Sequence, residues 1–102
     1  MALLDKLIRF ETVTKVYQES GYTISNCNSI LFINTGTAKV IVDQQLLLPG
    51  QSLSVPGSVG EINIKQYSFQ FIYQIGYSQS LTVIRKVYAD AKLQEDVFKN
   101  KI

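Results

Sequence analysis

Histidine is absent from the chain, and with it the side chain most used for acid-base chemistry near neutral pH and the commonest zinc or iron ligand. Most hydrolytic triads and metal sites are excluded by that one absence. Cysteine occurs once, at Cys27, so no intrachain disulfide can form and stability must come from packing. Cys27 sits among Asn26, Asn28 and Ser29 with no histidine to draw off its proton, and it reads as a small buried hydrophobe. Charge is scarce through the middle: from Ser20 to Ile84 only Lys39, Asp43, Glu61 and Lys65 carry one. The net charge of +2 is scattered, and Lys92, Lys99 and Lys101 share their segment with Asp90, Glu95 and Asp96. A nucleic-acid partner is not expected, because affinity for a phosphate backbone comes from basic residues gathered on one face.

Long apolar runs are missing too. No stretch approaches the ~18 apolar residues of a membrane span, and MALLDKLIRF is broken by Asp5, Lys6 and Arg9 where a secretory signal would be continuously apolar. The expectation is a soluble chain, not independently exported and without a membrane partner. The few groups left for catalysis do not make a motif. Asp43 and Glu61 are the only acids in the body of the chain that could face each other across a sheet for sugar hydrolysis, and Asp43 is at home in a turn for conformational reasons. A Ser54 and Lys65 pair is of common types, and Gly57-Ser58-Val59-Gly60 lacks the Lys-Ser/Thr and helix of a phosphate cradle. No catalytic residue, cofactor or metal site is expected, and the chain is read as a non-enzyme.

What is present is a globular composition, 46% hydrophobic and 18% charged, in 102 residues, which is the size of one domain. Short apolar runs alternate with turn residues, the pattern of many short strands. Strands are expected at Arg9 to Glu19, Tyr22 to Ser25, Ser29 to Ile33, Ala38 to Val42, Leu46 to Leu48, Leu53 to Val55, Glu61 to Lys65, Tyr67 to Ile75 and Leu81 to Tyr88. Asn34-Thr35-Gly36 is read as a tight hairpin, Asp43-Gln44-Gln45 as a second turn, and Pro49-Gly50 as the centre of a type II turn. The fold class is therefore all-β: a two-sheet antiparallel β-sandwich, jelly-roll-like, spanning 9–88 between an N-terminal arm at 1–8 and a C-terminal tail at 89–102. In the tail Ala89, Leu93 and Val97 form a short helical stripe.

Several strands are apolar at consecutive positions: Ile30-Leu31-Phe32-Ile33, Val40-Ile41-Val42, Leu46-Leu47-Leu48 and Phe71-Ile72-Tyr73. A half-wet strand should alternate, so some outward faces must be apolar. An exposed Leu or Ile forgoes about 1.5–3 kcal/mol of burial, and contiguous patches of that kind mark contact surfaces. Six tyrosines and few charges fit an interface, where ions are costly to desolvate. The interface candidates are Leu31, Ile33, Ile41, Leu47, Tyr73 and Tyr77. The competing use of the aromatics is a small-ligand or carbohydrate site between the sheets on Tyr67, Phe69, Phe71 and Tyr73.

Two resemblances bear on this choice. The run LPGQSLSVPGSVG, Leu48 to Gly60, is similar to the second half of a cupin jelly roll, where Gly50 and Pro56 match and the metal-binding histidine is missing. That implies the cupin fold without its metal, and at most a metal-less ligand-binding module. The stretch Ser29 to Tyr88 resembles small β-sandwich virion proteins of tailed phages, crAss-like phages included. Asn34-Thr35-Gly36, Val40, Val42, Leu46, Leu48-Pro49-Gly50-Gln51-Ser52-Leu53 and Val83-Ile84-Arg85-Lys86 carry it. This resemblance implies a structural protein located in the virion after assembly in the host cytoplasm. It would be an auxiliary or decoration capsid protein, or a neck or tail part, whose partners are other virion subunits such as a major capsid protein, with a homo-oligomer as a further possibility.

Overall fold

Period-two burial sets the layers. In Ser29–Asn34 and Gln66–Phe71 every second side chain is buried, so each strand gives one edge of its pleat to a common interior. The computed structural model describes residues 9–89, and the expectations for the N-terminal arm and for the tail beyond Ala89 lie outside the described residues. Eight strands follow in order: β1 (Phe10–Tyr17), β2 (Gly21–Ile24), β3 (Ser29–Asn34), β4 (Val40–Val42), β5 (Gln45–Leu47), β6 (Ser52–Val55), β7 (Gln66–Phe71) and β8 (Leu81–Tyr88).

They form two four-stranded sheets of order β1-β8-β3-β6 and β2-β7-β4-β5. All pairs are antiparallel, and β1 pairs β8, β2 pairs β7, β3 pairs β6 and β4 pairs β5. The chain is thus one long nested hairpin wrapped until β3 meets β8 and β4 meets β7, which is the jelly-roll topology. Its tip is the two-residue turn Asp43-Gln44, where φ of 48° and 75° give the left-handed pair a type I′ turn requires. Lys65 Nζ clasps Asp43 Oδ2 at 2.7 Å and ties this tip to the start of β7.

Between the sheets lie Ile30, Phe32, Val40, Val42, Leu47, Leu81 and Val83, with the rings of Tyr67, Phe69 and Phe71. Phe32 of one sheet meets Tyr67 of the other at 5.1 Å, and Tyr17 meets Phe69 at 4.7 Å. Tilted ring pairs of this kind add about 0.5–1.5 kcal/mol each beyond their buried area, so the aromatics of β7 staple the layers together. Arg85 reaches from β8 to the Ser25 carbonyl at 3.0 Å and makes a polar staple beside them.

The structure corrects the sequence reading at four places. Asn34-Thr35-Gly36 does not close a hairpin: β3 and β4 belong to different sheets, and this segment is the crossing between them. Its backbone bonds to the connection ahead of β8 instead, with the Thr35 and Gly36 N–H groups both on the Ser80 carbonyl. Gly36 is needed for closeness, since a Cβ there would stand 2.5 Å from the Ser78 carbonyl oxygen. Glu61 to Lys65 is no strand either; its strand-like pairing is one isolated bridge between Asn63 and Cys27, beside which the Ser25 N–H donates to the Lys65 carbonyl at 2.9 Å. The strand expected to run to Ile75 ends at Phe71, leaving Tyr73 in the following loop. Leu47 faces inward at 2% exposure, because the two-residue turn pairs it with core residue Val40. The Pro49-Gly50 turn is as expected, with φ of 84° at Gly50 and Gln51 N–H on the Leu48 carbonyl at 2.9 Å.

Cys27 is buried in this core, and burial pushes its thiol pKa up against a smaller opposing pull from Arg85. Only the thiolate reacts with disulfide reagents. The native protein should therefore resist an aromatic disulfide at mildly alkaline pH and react fully once denatured; rapid native labelling would contradict this burial. Because the unfolded thiol ionises first as pH rises, the contribution of Cys27 to stability is intact below the ordinary thiol pKa and falls above it.

Candidate interaction surfaces

The outer face of the β1-β8-β3-β6 sheet is built from the residues that alternate away from the core. The register lines them up in rows. Thr14, Ile84, Leu31 and Ser54 form one row, and Val16, Thr82, Ile33 and Ser52 the next. Thr12, Lys86 and Ser29 form a third, and Phe10 and Tyr88 a fourth. Among the described residues Lys86 is the only charged member of the face, and its ammonium lies over the Phe10 ring, 4.3 Å from the centroid. The wet face of a soluble antiparallel sheet is ordinarily studded with Lys and Glu. Here hydroxyl groups surround a strip of Leu31, Ile33, Ile84 and Val16. An open depression runs along it, lined by Leu31, Ser54, Pro56, Gly57 and Ile84 with Ser29 and Lys86 among its other members.

The opposite sheet presents Tyr22 and Ile24 from β2, Gln66, Ser68 and Gln70 from β7, Ile41 from β4 and Leu46 from β5. None of these is charged. Tyr22, Ile24 and Leu46 are exposed, whereas Ile41, flanked by Gln70 and Leu46, is half-buried.

The third apolar surface is at the loops. Gln74-Ile75-Gly76-Tyr77 is a β-turn closed by Tyr77 N–H on the Gln74 carbonyl at 3.1 Å, with φ of 86° at Gly76. Ile75 occupies its apex and is 84% exposed, flanked by Tyr73 and Tyr77. At the other end of the sandwich, Ser58-Val59-Gly60-Glu61 makes a similar turn with exposed Val59 at its apex, and Ile62 and Ile64 follow, also exposed.

The interface candidates read from the sequence are therefore not one surface. Leu31 and Ile33 lie together on one outer face, half-buried by their neighbours; Ile41 lies on the other; Tyr73 and Tyr77 share a loop at one end. Leu47 belongs to the core, and its neighbour Leu46 takes the outward place. Ile75, Val59, Ile62 and Ile64 were missed, although an apolar residue before a glycine between strands signals an apolar turn apex in Val59-Gly60 and Ile75-Gly76.

The remaining candidates are kept apart. Asp43 is paired with Lys65, and Glu61 lies in the β6–β7 loop, where its carbonyl accepts from the Tyr88 hydroxyl at 2.8 Å. Ser54 is on the outer face of one sheet while Lys65 is held at the tip of the other. Tyr67, Phe69 and Phe71, offered as a ligand platform, pack on Phe32, Tyr17 and one another in the core, and Tyr73 stands outside. No family model matches the chain, and neither does any curated protein.

Proposed function

We propose that this jelly roll is a non-catalytic docking subunit of a larger assembly, and that the assembly is a phage particle on which it serves as an auxiliary or decoration protein. The observation that carries the reading is the outer face of the β1-β8-β3-β6 sheet, where Leu31, Ile33, Ile84 and Val16 stand among serines and threonines with Lys86 as the sole charge among the described residues. Burying such a face desolvates hydroxyls, which find new partners readily, and almost no ions, whose dehydration is several-fold more costly. Many copies bound through faces of this kind would reinforce a shell by summed contacts. The phage setting rests on the resemblance of Ser29 to Tyr88 to small virion sandwiches, and the docking role rests on the surface itself.

Ile84→Lys and Leu31→Glu test the role. Each puts a charge on the outer face without entering the core; both side chains are half-buried, so a loss of about 1–2 kcal/mol with the fold retained is expected, checked by thermal unfolding. The unsubstituted protein should copurify with assembled particles in a fixed stoichiometry, and each variant should be lost from them. Absence of the unsubstituted protein from particles removes the phage setting; retention of both variants removes this face as the docking surface.

A further inference from the structure

The long edge strand β1 carries a pattern that none of the surfaces above uses. We propose that two copies of this chain pair through their β1 edges about a two-fold axis at Val13, joining their β1-β8-β3-β6 sheets into one continuous sheet. The occupant of the edge is thus a second copy, and the idea stands independently of the phage reading.

The hydrogen-bonding register decides which groups are available. Ala89 N–H donates to the Arg9 carbonyl at 2.9 Å, so Arg9 and the residues in phase with it, Glu11, Val13, Lys15 and Tyr17, turn their backbone polar groups toward β8. Phe10, Thr12, Thr14 and Val16 turn theirs away, to the side on which no strand is paired among the described residues. An antiparallel pair centred on Val13 sets Thr12 against the partner's Thr14 and Phe10 against the partner's Val16. Every backbone group that faces outward then meets its complement.

The side chains agree with that register. Glu11 and Lys15 lie symmetrically about Val13, so each carboxylate falls opposite the partner's ammonium at the non-hydrogen-bonded positions, where facing Cα atoms are only ~4.5 Å apart. Both residues are exposed, and among the described residues neither takes part in an ion pair. Moving the axis to Thr12 would instead oppose Lys15 to the partner's Arg9, two like charges. Edge strands that must stay single are guarded by charges that repel their own copies. Opposite signs placed evenly about one residue attract a copy and select its register. The outer face gains as well, because Thr12, Thr14 and Val16 of both copies continue the uncharged surface across the axis.

Sedimentation of the full chain at submillimolar concentration should show a dimer. Glu11→Lys and Lys15→Glu should each weaken self-association about tenfold or more, since each places like charges opposite one another at both pairs. Mixed together, the two variants should recover a heterodimer, because every facing pair is again of opposite sign. Thr14→Pro provides a second reading: its N–H faces away from β8, so the β1-β8 ladder is kept while the proposed joint is broken, and a folded monomer is expected. A monomeric unsubstituted protein, or a dimer indifferent to the charge variants and to Thr14→Pro, overturns the proposal. Loss of particle binding by the outer-face variants with dimerisation unchanged would leave it standing, which separates the two readings.

Discussion

Asn34→Ala should destabilise the domain by about 3 kcal/mol or more, measured by urea unfolding, because it strips hydrogen bonds from buried carbonyls that water cannot reach. Asn34 is 1% exposed at the end of β3. Its Nδ2 donates to the carbonyls of Ala38 at 2.9 Å and Leu47 at 3.0 Å, and its Oδ1 accepts from Gly36 N–H at 3.0 Å. The side chain thereby replaces ladder bonds lost where the chain leaves one sheet for the other. Asn34→Asp keeps the acceptor and loses both donations, so near neutral pH it should be less stable than Asn34→Ala, with a carboxylate facing two carbonyl oxygens. Equal stability of the three proteins would show that the crossing does not depend on this side chain.

Gly57→Ala should be as damaging, by about 3–5 kcal/mol or to the point of preventing folding, through steric overlap. A Cβ at Gly57 would stand 2.1 Å from the Asn28 carbonyl oxygen, a backbone atom that cannot swing aside. Asn28 is itself a hub: its Nδ2 lies 2.7 Å from the Ser58 carbonyl, 3.2 Å from the Glu61 carbonyl and 3.1 Å from the Tyr88 hydroxyl. A displaced Asn28 would release the β6–β7 loop from the end of β8. Gly60→Ala is the control. Its Cβ meets nothing within 4 Å, so only the left-handed φ of 92° is strained and a loss of about 1 kcal/mol is expected. A smaller effect at Gly57 than at Gly60 would contradict the close approach seen here.

Much of the architecture was legible because turn residues and alternation act locally. Proline fixes one φ and glycine accepts the next at positive φ, and Pro49-Gly50 turns where expected, whereas in Pro56-Gly57 the glycine serves the close approach to Asn28 instead. Tyr67, Phe69 and Phe71 alternate in the sequence and line the core together. Asn34 and Gly36 misled because the same residue types serve two ends. They tolerate left-handed backbone in hairpins, but here Asn34 supplies side-chain hydrogen bonds and Gly36 supplies closeness, with no positive φ at either. Leu47 misled for a reason of register. In Leu46-Leu47-Leu48 nothing local says which residue faces in, and reading the preceding turn as Asp43-Gln44-Gln45 instead of Asp43-Gln44 shifts the strand by one and reverses every side chain.

The interface candidates were legible only as a sum of apolar residues in excess of one small core. Their division among two outer faces and the loops is fixed by long-range pairing, such as Leu31 beside Ile84, which the spacing of residues along the chain does not encode. The apolar turn apices at Val59 and Ile75 were overlooked because glycine-bearing loops are ordinarily polar at their tips.

Hydroxyl-radical footprinting of Leu31, Ile33 and Ile84, in the isolated protein and on purified particles, bears most directly on the claim that the uncharged outer face docks on a neighbour. These three side chains should lose reactivity on the particle, while Ile64, exposed in the β6–β7 loop and no part of that face, serves as the reference. Undiminished labelling of all three in the assembled state would contradict it.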